Sequence, residues 1–398
     1  MVAMQDTLQH TLQDFTRRIL HASQTGQPLR LRGGGTKDFL GQALQGEVLD
    51  TRAYSGILSY EPSELVITVR AGTPLAEVEA ALAEKGQSFA FEPPHFSAGR
   101  LDALGEGATI GGMVAAGLSG PSRASVGTVR DFVLGARVIN GKGEHLTFGG
   151  QVMKNVAGYD VSRLLAGSWG QLGLITEVSL KVLPVAPGEA TLVCAGVSQA
   201  QALKLINQWG GQPLPLNASA WVYDTTANPA QDFFFVRLRG AVAAVDAAVT
   251  KMSADVQALG AQVTRMNPQD VADDWHASGE QTLDFFKAPS EHACLWRLSV
   301  PQTAPVLDVR VNGEACAQYI EWHGAQRWLW APASAASQVR EAAVKAGGHA
   351  TLFRTSSAHG DADKQVGVYT PLNDVQQRIQ NELKKQFDPA GIFNPGRV

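Results

Sequence analysis

The chain has 398 residues, which exceeds the roughly 250–300 residues at which a single hydrophobic core stops growing, so two domains are expected. A hydrophobic fraction of 44%, a charged fraction of 18% and a mean hydropathy of -0.07 exclude the disordered and fibrous classes and indicate a soluble globular protein. The net charge of -4 gives no electrostatic basis for binding nucleic acid or an anionic membrane surface.

No apolar run approaches the roughly 18–20 residues that span a bilayer, and the N-terminal sequence has no signal-peptide pattern. A cytoplasmic location is therefore expected, with any contact to the inner membrane made through a partner. The three cysteines, Cys194, Cys294 and Cys316, lie far apart without C-x-x-C spacing. They predict neither a disulfide framework nor an iron–sulfur cluster, and we expect them to be buried apolar residues.

The N-terminal part alternates helices and strands. Leu8, Leu12, Phe15 and Ile19 recur at helical spacing and predict a helix that stops at Gly26. A second helix is predicted to be capped by Thr73, to have Pro74 at its first position and to end at Gly86, with Leu75, Val78 and Leu82 buried. Strands are predicted at residues 28–32, 47–50 and 65–70.

The next elements form a predicted hairpin. Asn140-Gly141 separates the strand-like runs 132–139 and 144–148, and such a pair favours a tight turn with positive φ at both central positions. A helix near residues 160–165 and a strand over 174–183 follow, and Pro184 and Pro187-Gly188 mark a boundary.

Beyond Gly188 the pattern predicts helices at 198–209 and 242–259. Strands are predicted at 218–223, 233–239, 294–300, 326–329 and 351–354, an order typical of an antiparallel sheet with helices on one face. The C-terminal tail is predicted to be a helix over 371–387 followed by turns.

Two glycine-rich stretches carry the clearest functional pattern. One is Arg32–Lys37, and the other runs from Gly99 to Val129 with eight glycines. Such loops expose consecutive backbone N–H groups that bind phosphate, and a dinucleotide pyrophosphate fits them. Neither stretch has the Walker or the Rossmann spacing. Composition alone leaves two interpretations open: the two stretches clamp one ligand from two sides, or they are only turns.

Six short motifs occur in a fixed order along the chain: Arg32–Lys37, Ala108–Gly112, Gly127–Gly135, Lys154–Asp160, Gly173–Glu177 and Asn394–Arg397. As a set they resemble the FAD-binding fold of the vanillyl-alcohol oxidase and p-cresol methylhydroxylase (PCMH) type. Over its whole length, including Leu295–Ser299 and Gly324–Leu329, the chain most resembles the FAD-binding E subunits of bacterial glycolate oxidase (glycolate dehydrogenase).

The resemblance implies an α+β chain in three parts. Residues 1–187 form a two-lobed PCMH-type FAD-binding domain, and residues 188–365 form an α+β cap domain with an antiparallel sheet. Residues 366–398 pack back on the FAD domain.

The same resemblance implies which residues hold FAD. The loop Gly33–Lys37 surrounds the pyrophosphate with amides, Thr109–Gly112 starts a helix against it, and Asn394 returns to the flavin from the C-terminus unless it belongs to a plain tail turn. The full expected set is Arg32, Gly33, Gly34, Gly35, Thr36, Lys37, Pro93, Thr109, Ile110, Gly111, Gly112, Gly117, Gly127, Asp131, Ile175 and Asn394. Because residues 33–41 contain no histidine, the FAD is expected to be non-covalent.

The substrate chemistry is less clear. Hydroxy-acid-oxidising relatives carry a metal-binding histidine cluster, whereas the nearest pattern here, His359-Gly360-Asp361, is expected to be a solvated loop, and no metal is expected. A glycolate site needs an arginine fork and a base with a pKa near 7, and no base stands out. The candidate catalytic residues are the strand arginines Arg297, Arg327 and Arg354.

We therefore expect a FAD-bearing subunit of a glycolate-oxidising complex, with the substrate chemistry in a larger paralogous flavin subunit and electrons leaving to an iron–sulfur subunit. One alternative is a self-sufficient FAD-dependent dehydrogenase for a small 2-hydroxy acid. Another is a structural subunit without flavin, which the intact glycine loops disfavour because an abandoned site has no reason to keep them.

Overall fold

A computed structural model describes residues 2–96, 107–150 and 160–397, with side chains from residue 6 onward. Two parts of the predicted motifs, residues 99–106 of the second glycine-rich stretch and residues 154–159, lie outside the described residues.

The described chain contains strands and helices throughout. The strands are β1 Leu29–Arg32, β2 Glu47–Asp50, β3 Ile57–Glu61, β4 Val66–Arg70, β5 Gln87–Ser88, β6 Val133–Ile139, β7 His145–Gly149, β8 Leu174–Lys181, β9 Leu183–Pro184, β10 Gly188–Ala195, β11 Leu216–Asp224, β12 Gln231–Gly240, β13 Gln262–Met266, β14 Cys294–Ser299, β15 Arg310–Val311, β16 Glu314–Ala315, β17 Gln318–Glu321, β18 Gln326–Ala331 and β19 His349–Arg354. The α-helices are α1 Val2–Thr25, α2 Leu75–Ala83, α3 Ile110–Ala116, α4 Arg123–Val126, α5 Val129–Phe132, α6 Gln199–Gly210, α7 Val242–Gln257, α8 Pro268–Glu280, α9 Ala336–Lys345 and α10 Asp374–Phe387.

The chain divides into two units. The first comprises residues 1–119, 128–185 and 371–398, and the second comprises 120–127 and 186–370. Residues 371–398 belong to the first unit, and the predicted division into residues 1–187, 188–365 and 366–398 stays a prediction. Residues 120–127 belong to the second unit, although they lie well before residue 187, where the sequence analysis ends the first domain.

The first unit has two sheets on which its site depends. Strands β1 and β2 pair in parallel, and an antiparallel sheet has the order β3-β4-β8-β6-β7. The predicted N-terminal helix is confirmed: Phe15 and Ile19 of α1 are buried in a core with Leu29, Leu49 and Phe393. Gly26 ends the helix with a φ of +69°. This core fixes β1, the strand that leads into the first glycine-rich loop.

Two local predictions in this unit are wrong in detail. The Thr73 side chain does not cap α2 but bonds Gly56 N and Arg70 O, and Pro74 takes the N-cap position without a side-chain bond. The β6–β7 hairpin is present, but the Asn140 Oδ1 atom closes its turn by accepting from Lys142 N and Glu144 N. The left-handed residue of that turn is Gly143, with a φ of +75°.

The second unit is built on an antiparallel sheet of eight strands. Its order is β13-β10-β12-β11-β17-β18-β14-β19, which confirms the predicted antiparallel sheet. Helices α6 and α7 cover one half of one face, and α9 packs against the other half of that face. Helix α8 lies on the opposite face, where Trp275 Nε1 donates to Thr191 Oγ1. The prediction that helices cover only one face of the sheet is therefore wrong for α8.

A turn between β17 and β18 holds the segment 120–127. Trp322, His323 and Gly324 all have left-handed φ values, of 53°, 55° and 94°. Trp322 Nε1 donates to Gly120 O at 2.9 Å, and the His323 ring lies between Ser125 Oγ and Ser219 Oγ, each at 2.9 Å. These contacts tie the end of the second glycine-rich stretch to the sheet.

We predict that His323 makes the second unit acid-sensitive. Burial lowers the pKa of His323 to about 4, whereas an unfolded histidine has a pKa of about 6.5. Below about pH 6.5 the unfolded state binds a proton that the folded state does not, so stability is lost as the pH falls towards 4. The loss is about 3 kcal/mol over this window.

The measurement is urea unfolding of the wild type and of His323→Asn at pH 7 and at pH 4.5. Asparagine tolerates the left-handed φ and cannot take up a proton in this range. The stability difference between the two pH values is expected to be smaller in the variant. Equal differences in the two proteins contradict the prediction.

Candidate functional site

A cleft in the first unit collects most of the sequence-predicted binding residues. It encloses about 810 Å³ of space free of protein atoms, counting the part open to solvent. Its lining comes from the loop after β1, from α3, from the segment before β8 and from the C-terminal tail. The lining residues from the predicted set are Arg32, Gly33, Gly34, Gly35, Thr36, Lys37, Thr109, Gly111, Gly112, Ile175 and Asn394.

The first loop needs glycine because it approaches the second glycine-rich stretch too closely for a side chain. A Cβ on Gly33 would lie 2.1 Å from Thr109 Oγ1, and one on Gly34 would lie 1.8 Å from the carbonyl oxygen of Gly107. Gly35 has a φ of +70°, which L side chains rarely adopt. The two stretches therefore meet backbone against backbone and form one wall of the cleft.

The loop after β1 presents unused backbone donors. Within the described residues, the amides of Gly33, Gly34 and Thr36 donate no hydrogen bond. The start of α3 differs: Ile110 N donates to Thr73 O at 3.0 Å and Gly111 N donates to Ala71 O at 2.8 Å. The first loop can therefore donate amides to an anion, while the residues of α3 supply close-fitting surface.

The cleft wall is positively charged. Lys37 and Arg397 line it with only 8% and 5% of their surface exposed. The Asp38 carboxylate pairs with both Arg30 and Arg32, the latter at 3.0 Å. The described lining contains three cationic side chains, Arg32, Lys37 and Arg397, and one carboxylate, Asp38. The wall therefore favours an anionic ligand.

Asn394 joins three parts of the cleft. Its Oδ1 accepts from Leu31 N at 2.9 Å, and its Nδ2 donates to Trp169 O at 2.6 Å. Its own amide donates to Leu29 O at 2.9 Å, and it has a φ of +39°. Asn394 is therefore more than a tail turn, because its side chain holds β1 and the Trp169 segment together at the cleft.

Five predicted binding residues lie outside the lining. Ile110 is buried in the core, and Gly117 ends α3 with a φ of +64° against Gly167. Asp131 is exposed and caps α5 by accepting from Thr128 N. Gly127 ends α4 within the second unit, and Pro93 is buried away from the cleft wall. A cofactor role for these five stays a prediction.

The structure adds lining residues that the sequence analysis did not select. Trp169 and Gly170 line the cleft with φ values of 53° and 73°, and the Arg397 guanidinium lies 5.4 Å from the centre of the Trp169 ring. Thr51, Ala71 and Gly173 also line it. Glycines recur every three residues at 167, 170 and 173, and this pattern could have identified the segment as part of the cleft from the sequence.

The lining fits a pyrophosphate-containing cofactor. The unused amides and the two largely buried cations suit phosphate oxygens, and the bare α3 surface admits a large ligand closely. A Cβ on Gly111 would lie 2.7 Å from Ala71 Cβ, so this surface could not carry larger residues. None of the described lining residues is a histidine or a cysteine.

The three candidate arginines of the second unit are not brought together. Arg327 is fully buried on the helix-covered face and donates to Gly324 O and Ala304 O, which leaves it no surface for a substrate. Burial lowers the pKa of Arg354 below its usual value, and the Glu280 carboxylate offsets only part of this effect. Arg297 lies on the opposite face from Arg327, because Leu298, which follows it, belongs to the helix-covered core.

A base that the sequence analysis missed lies on the same face as Arg297. Glu321, at the end of β17, is 5% exposed, and burial raises the pKa of its carboxyl to about 7. Trp328 Nε1 and Gln326 Nε2 both donate to its Oε1 atom. Nothing in the local sequence marks Glu321, since its environment comes from strands β14 and β18.

Comparison with known proteins identifies the family. Residues 9–149 match the family described as FAD binding domain. The chain is 42% identical over 387 residues to glycolate oxidase subunit GlcE of Escherichia coli K12, covering 97% of each protein. The chain belongs to the GlcE family of glycolate oxidase subunits. It is also 25% identical to glycolate oxidase subunit GlcD of Bacillus subtilis 168, over 97% of this chain and 86% of that protein.

Solved structures agree with this fold. An alkyldihydroxyacetonephosphate synthase matches with a TM-score of 0.67 at 16% identity, over 96% of this chain and 73% of that one. A 4-ethylphenol oxidase from Gulosibacter chungangensis matches with a TM-score of 0.66 at 14% identity, over 97% and 87%. At this identity, the likeness supports the α+β PCMH-type fold alone.

As a GlcE-family member, the chain is a FAD-dependent oxidoreductase subunit. Among the described residues, no helix is both long and apolar enough to cross a membrane. The described part of the chain also holds no group of three or more histidine, cysteine, aspartate or glutamate side chains able to bind a metal ion.

We predict that side chains added to the cleft wall expel the cofactor. Gly34→Ala places a methyl group 1.8 Å from Gly107 O, and Gly111→Val adds a larger group against Ala71. Both clashes displace a segment of the cleft wall, the loop with the unused amides in Gly34→Ala and the start of α3 in Gly111→Val. Both variants are expected to purify with less than about a tenth of the wild-type flavin, a loss of about 1.4 kcal/mol or more of binding free energy. The measurement is the ratio of visible flavin absorbance to protein.

The matched control for these variants is Gly210→Ala, at the end of α6, where an added Cβ meets no atom within 4 Å. It is expected to keep its full flavin content. Normal flavin content in Gly111→Val, with folding confirmed by circular dichroism, refutes the assignment of this wall.

We predict that Asn394→Ala loosens the tail from the cleft. The variant leaves Leu31 N and Trp169 O without their partner, which costs about 1–3 kcal/mol of stability. Flavin is expected to dissociate more readily on dilution. Urea unfolding and flavin release are the measurements, and Asn381→Ala on the exposed face of α10 is the control. Identical behaviour of the two variants contradicts the bridging role.

Proposed function

We propose that this chain is the FAD-holding subunit of a multi-subunit complex that oxidises glycolate to glyoxylate. It holds FAD non-covalently in the cleft of its first unit and serves electron transfer or assembly. The observation that carries the proposal is the cationic cleft, with the unused amides of Gly33, Gly34 and Thr36, in a chain of the GlcE family.

Individual residues take defined roles in this proposal. The loop amides would bind the pyrophosphate oxygens. The Lys37 and Arg397 cations would favour the phosphate charge electrostatically, since both Arg397 NH groups already donate to the backbone carbonyls of Lys37, Asp38 and Gln42. Thr109, Gly111 and Gly112 form the close-fitting wall, and Ile175 contacts a ring edge of the cofactor. Bound FAD supplies a two-electron acceptor. The absence of histidine and cysteine from the described lining supports non-covalent binding.

We place the main substrate chemistry in a larger paralogous flavin subunit. The similarity to a GlcD subunit along 97% of this chain supports a partner with a related fold. The described part of this chain also offers no metal-binding cluster. The complex would meet any membrane through a partner.

Electrons would leave the complex through an iron–sulfur subunit. Cys194 and Cys294 are fully buried in separate parts of the second unit, and burial raises the pKa of each thiol to about 12. Neither thiol suits a cluster, which needs converging thiolates.

One observation favours a second candidate function, a self-sufficient dehydrogenase for a small 2-hydroxy acid. Arg297 and Glu321 provide a cation and a base on one face of the second-unit sheet. That pair meets the requirement that the sequence alone left open.

We predict that the chain purified alone carries oxidised FAD that glycolate does not bleach under anaerobic conditions. Acid precipitation is expected to release all the flavin, as non-covalent binding requires. A protein without visible flavin absorbance contradicts FAD holding. Bleaching by glycolate without a partner overturns the division of labour and selects the self-sufficient dehydrogenase.

A further inference from the structure

Helix α10 of the first unit carries an exposed apolar row, Leu372, Val375 and Ile379. Leu372 lies just before the helix, and the three side chains are 45%, 56% and 54% exposed. None of the 14 described residues of α10 is buried. Single exposed apolar residues are ordinary on a protein surface, but these three follow helical spacing and form one continuous face.

The rest of α10 explains why this face needs a partner. Its C-terminal end is anchored, because Gly141 N donates to Phe387 O at 2.8 Å and the Phe387 and Phe148 ring centres are 6.0 Å apart. At its N-terminal end Asn373 Oδ1 accepts from Gln376 N at 2.9 Å. A free helix of this length is only marginally stable in water, and helices in proteins are stabilised mainly by burying an apolar face. The apolar row therefore lacks the contact that normally stabilises such a helix.

A charged row runs beside the apolar row. Its members follow one another at spacings of four, four and three residues and share one face of the helix: Asp374, Arg378, Glu382 and Lys385. All four are exposed, and within the described part of the chain none of them forms an ion pair. Their signs alternate along the helix axis. The charged row therefore fits a partner whose own charges alternate with the same period.

Antiparallel pairing of two copies of α10 supplies such a partner. About a two-fold axis near Ile379, Asp374 of one copy lies level with Lys385 of the other to within one residue. Arg378 lies level with Glu382 of the other copy to within two residues. One residue is about 1.5 Å along a helix, an offset that these long side chains span. The two-fold axis repeats both pairs, whereas parallel pairing sets each charge against its own copy and is repulsive.

We propose that α10 is a dimerisation surface on which a second copy of this chain docks antiparallel. Ile379 then packs against its own copy and Val375 against Leu383 of the other, which buries the apolar row on both sides. Each helix is about 20 Å long, so the contact by itself is smaller than a standard interface of about 1,200–2,000 Å². The dimer is therefore weak and reversible.

This dimer goes beyond the proposed function, which concerns FAD and the other subunits of the complex. The described lining of the FAD cleft contains no residue of α10. Variants of α10 are therefore expected to keep their flavin, so a failure to dimerise is distinguishable from a failure of the cleft to hold FAD.

The test is sedimentation velocity of the full chain at concentrations from about 1 to about 100 μM, a range that covers weak affinities. At low salt the sedimentation coefficient is expected to rise with concentration from the monomer value towards the dimer value. At high salt the rise is expected to be smaller, because salt screens exposed ion pairs. A chain that stays monomeric at low salt over the whole range overturns the proposal.

One variant tests the apolar row. Val375→Asp is expected to weaken dimerisation at least about tenfold, because each dimer then buries two unpaired carboxylates. Aspartate is favourable in the first turn of a helix, so α10 is expected to stay folded. The matched control is Val185→Asp, since Val185 is a 60% exposed valine of the first unit outside α10. Equal dimerisation of the two variants overturns the proposal.

A charge swap distinguishes a second copy from any other occupant. Arg378→Glu is expected to weaken the dimer about threefold or more, since the new carboxylate faces Glu382 of the other copy. Adding Glu382→Arg is expected to restore dimerisation, because opposite charges meet again across the two-fold axis. Circular dichroism and flavin absorbance report folding and FAD retention of each variant. Weakening without rescue overturns the proposal, as does binding of the wild-type chain to phosphatidylglycerol vesicles that Val375→Asp abolishes.

Discussion

The first unit depends on one close backbone contact, between the loop after β1 and the segment that begins α3. At Gly33 and Gly34 this contact leaves no room for even a methyl group, since Thr109 Oγ1 and Gly107 O occupy the positions a Cβ would take. Glycine adds no packing of its own and loses more entropy on folding than other residues, so a chain keeps it where a close approach is needed. Here the approach brings the unused loop amides to the cleft, and α1, β2 and the C-terminal tail hold β1 in place behind it.

The second glycine-rich stretch serves both units. Its described beginning forms the cleft wall, and its continuation at residues 120–127 is held in the second unit by Trp322 and His323. Arg123 adds a contact with the Trp322 ring at 4.2 Å. Glycines that look alike in sequence therefore have different physical roles: Gly111 allows close packing, Gly117 ends a helix, and Gly127 ends another in the other unit. The residues of one motif cannot be assigned to one ligand as a block.

The sequence predicted most of the elements that position the cleft, because local patterns encode them. The apolar spacing of α1, the strand before the first loop and the hairpin around Asn140 were all recognisable. It missed β3, β5, β10, β13, β15, β16 and β17, and helices α4, α5, α8 and α9. The capping role given to Thr73 was wrong because its hydroxyl finds better partners in Gly56 N and Arg70 O, which are brought to it by tertiary contacts.

By itself, the sequence determined the family, the FAD cofactor and the loop that forms the centre of the cleft, because these follow from a set of short local motifs in a fixed order. Only the tertiary structure decided which predicted residues meet. It brought Asn394 to Leu31 across almost the whole chain, and it separated Arg297 from Arg327 onto opposite faces of one sheet. It also gave Glu321 its raised pKa, since the burial of a carboxyl group is a property of its packed neighbours and not of the residues beside it in the sequence.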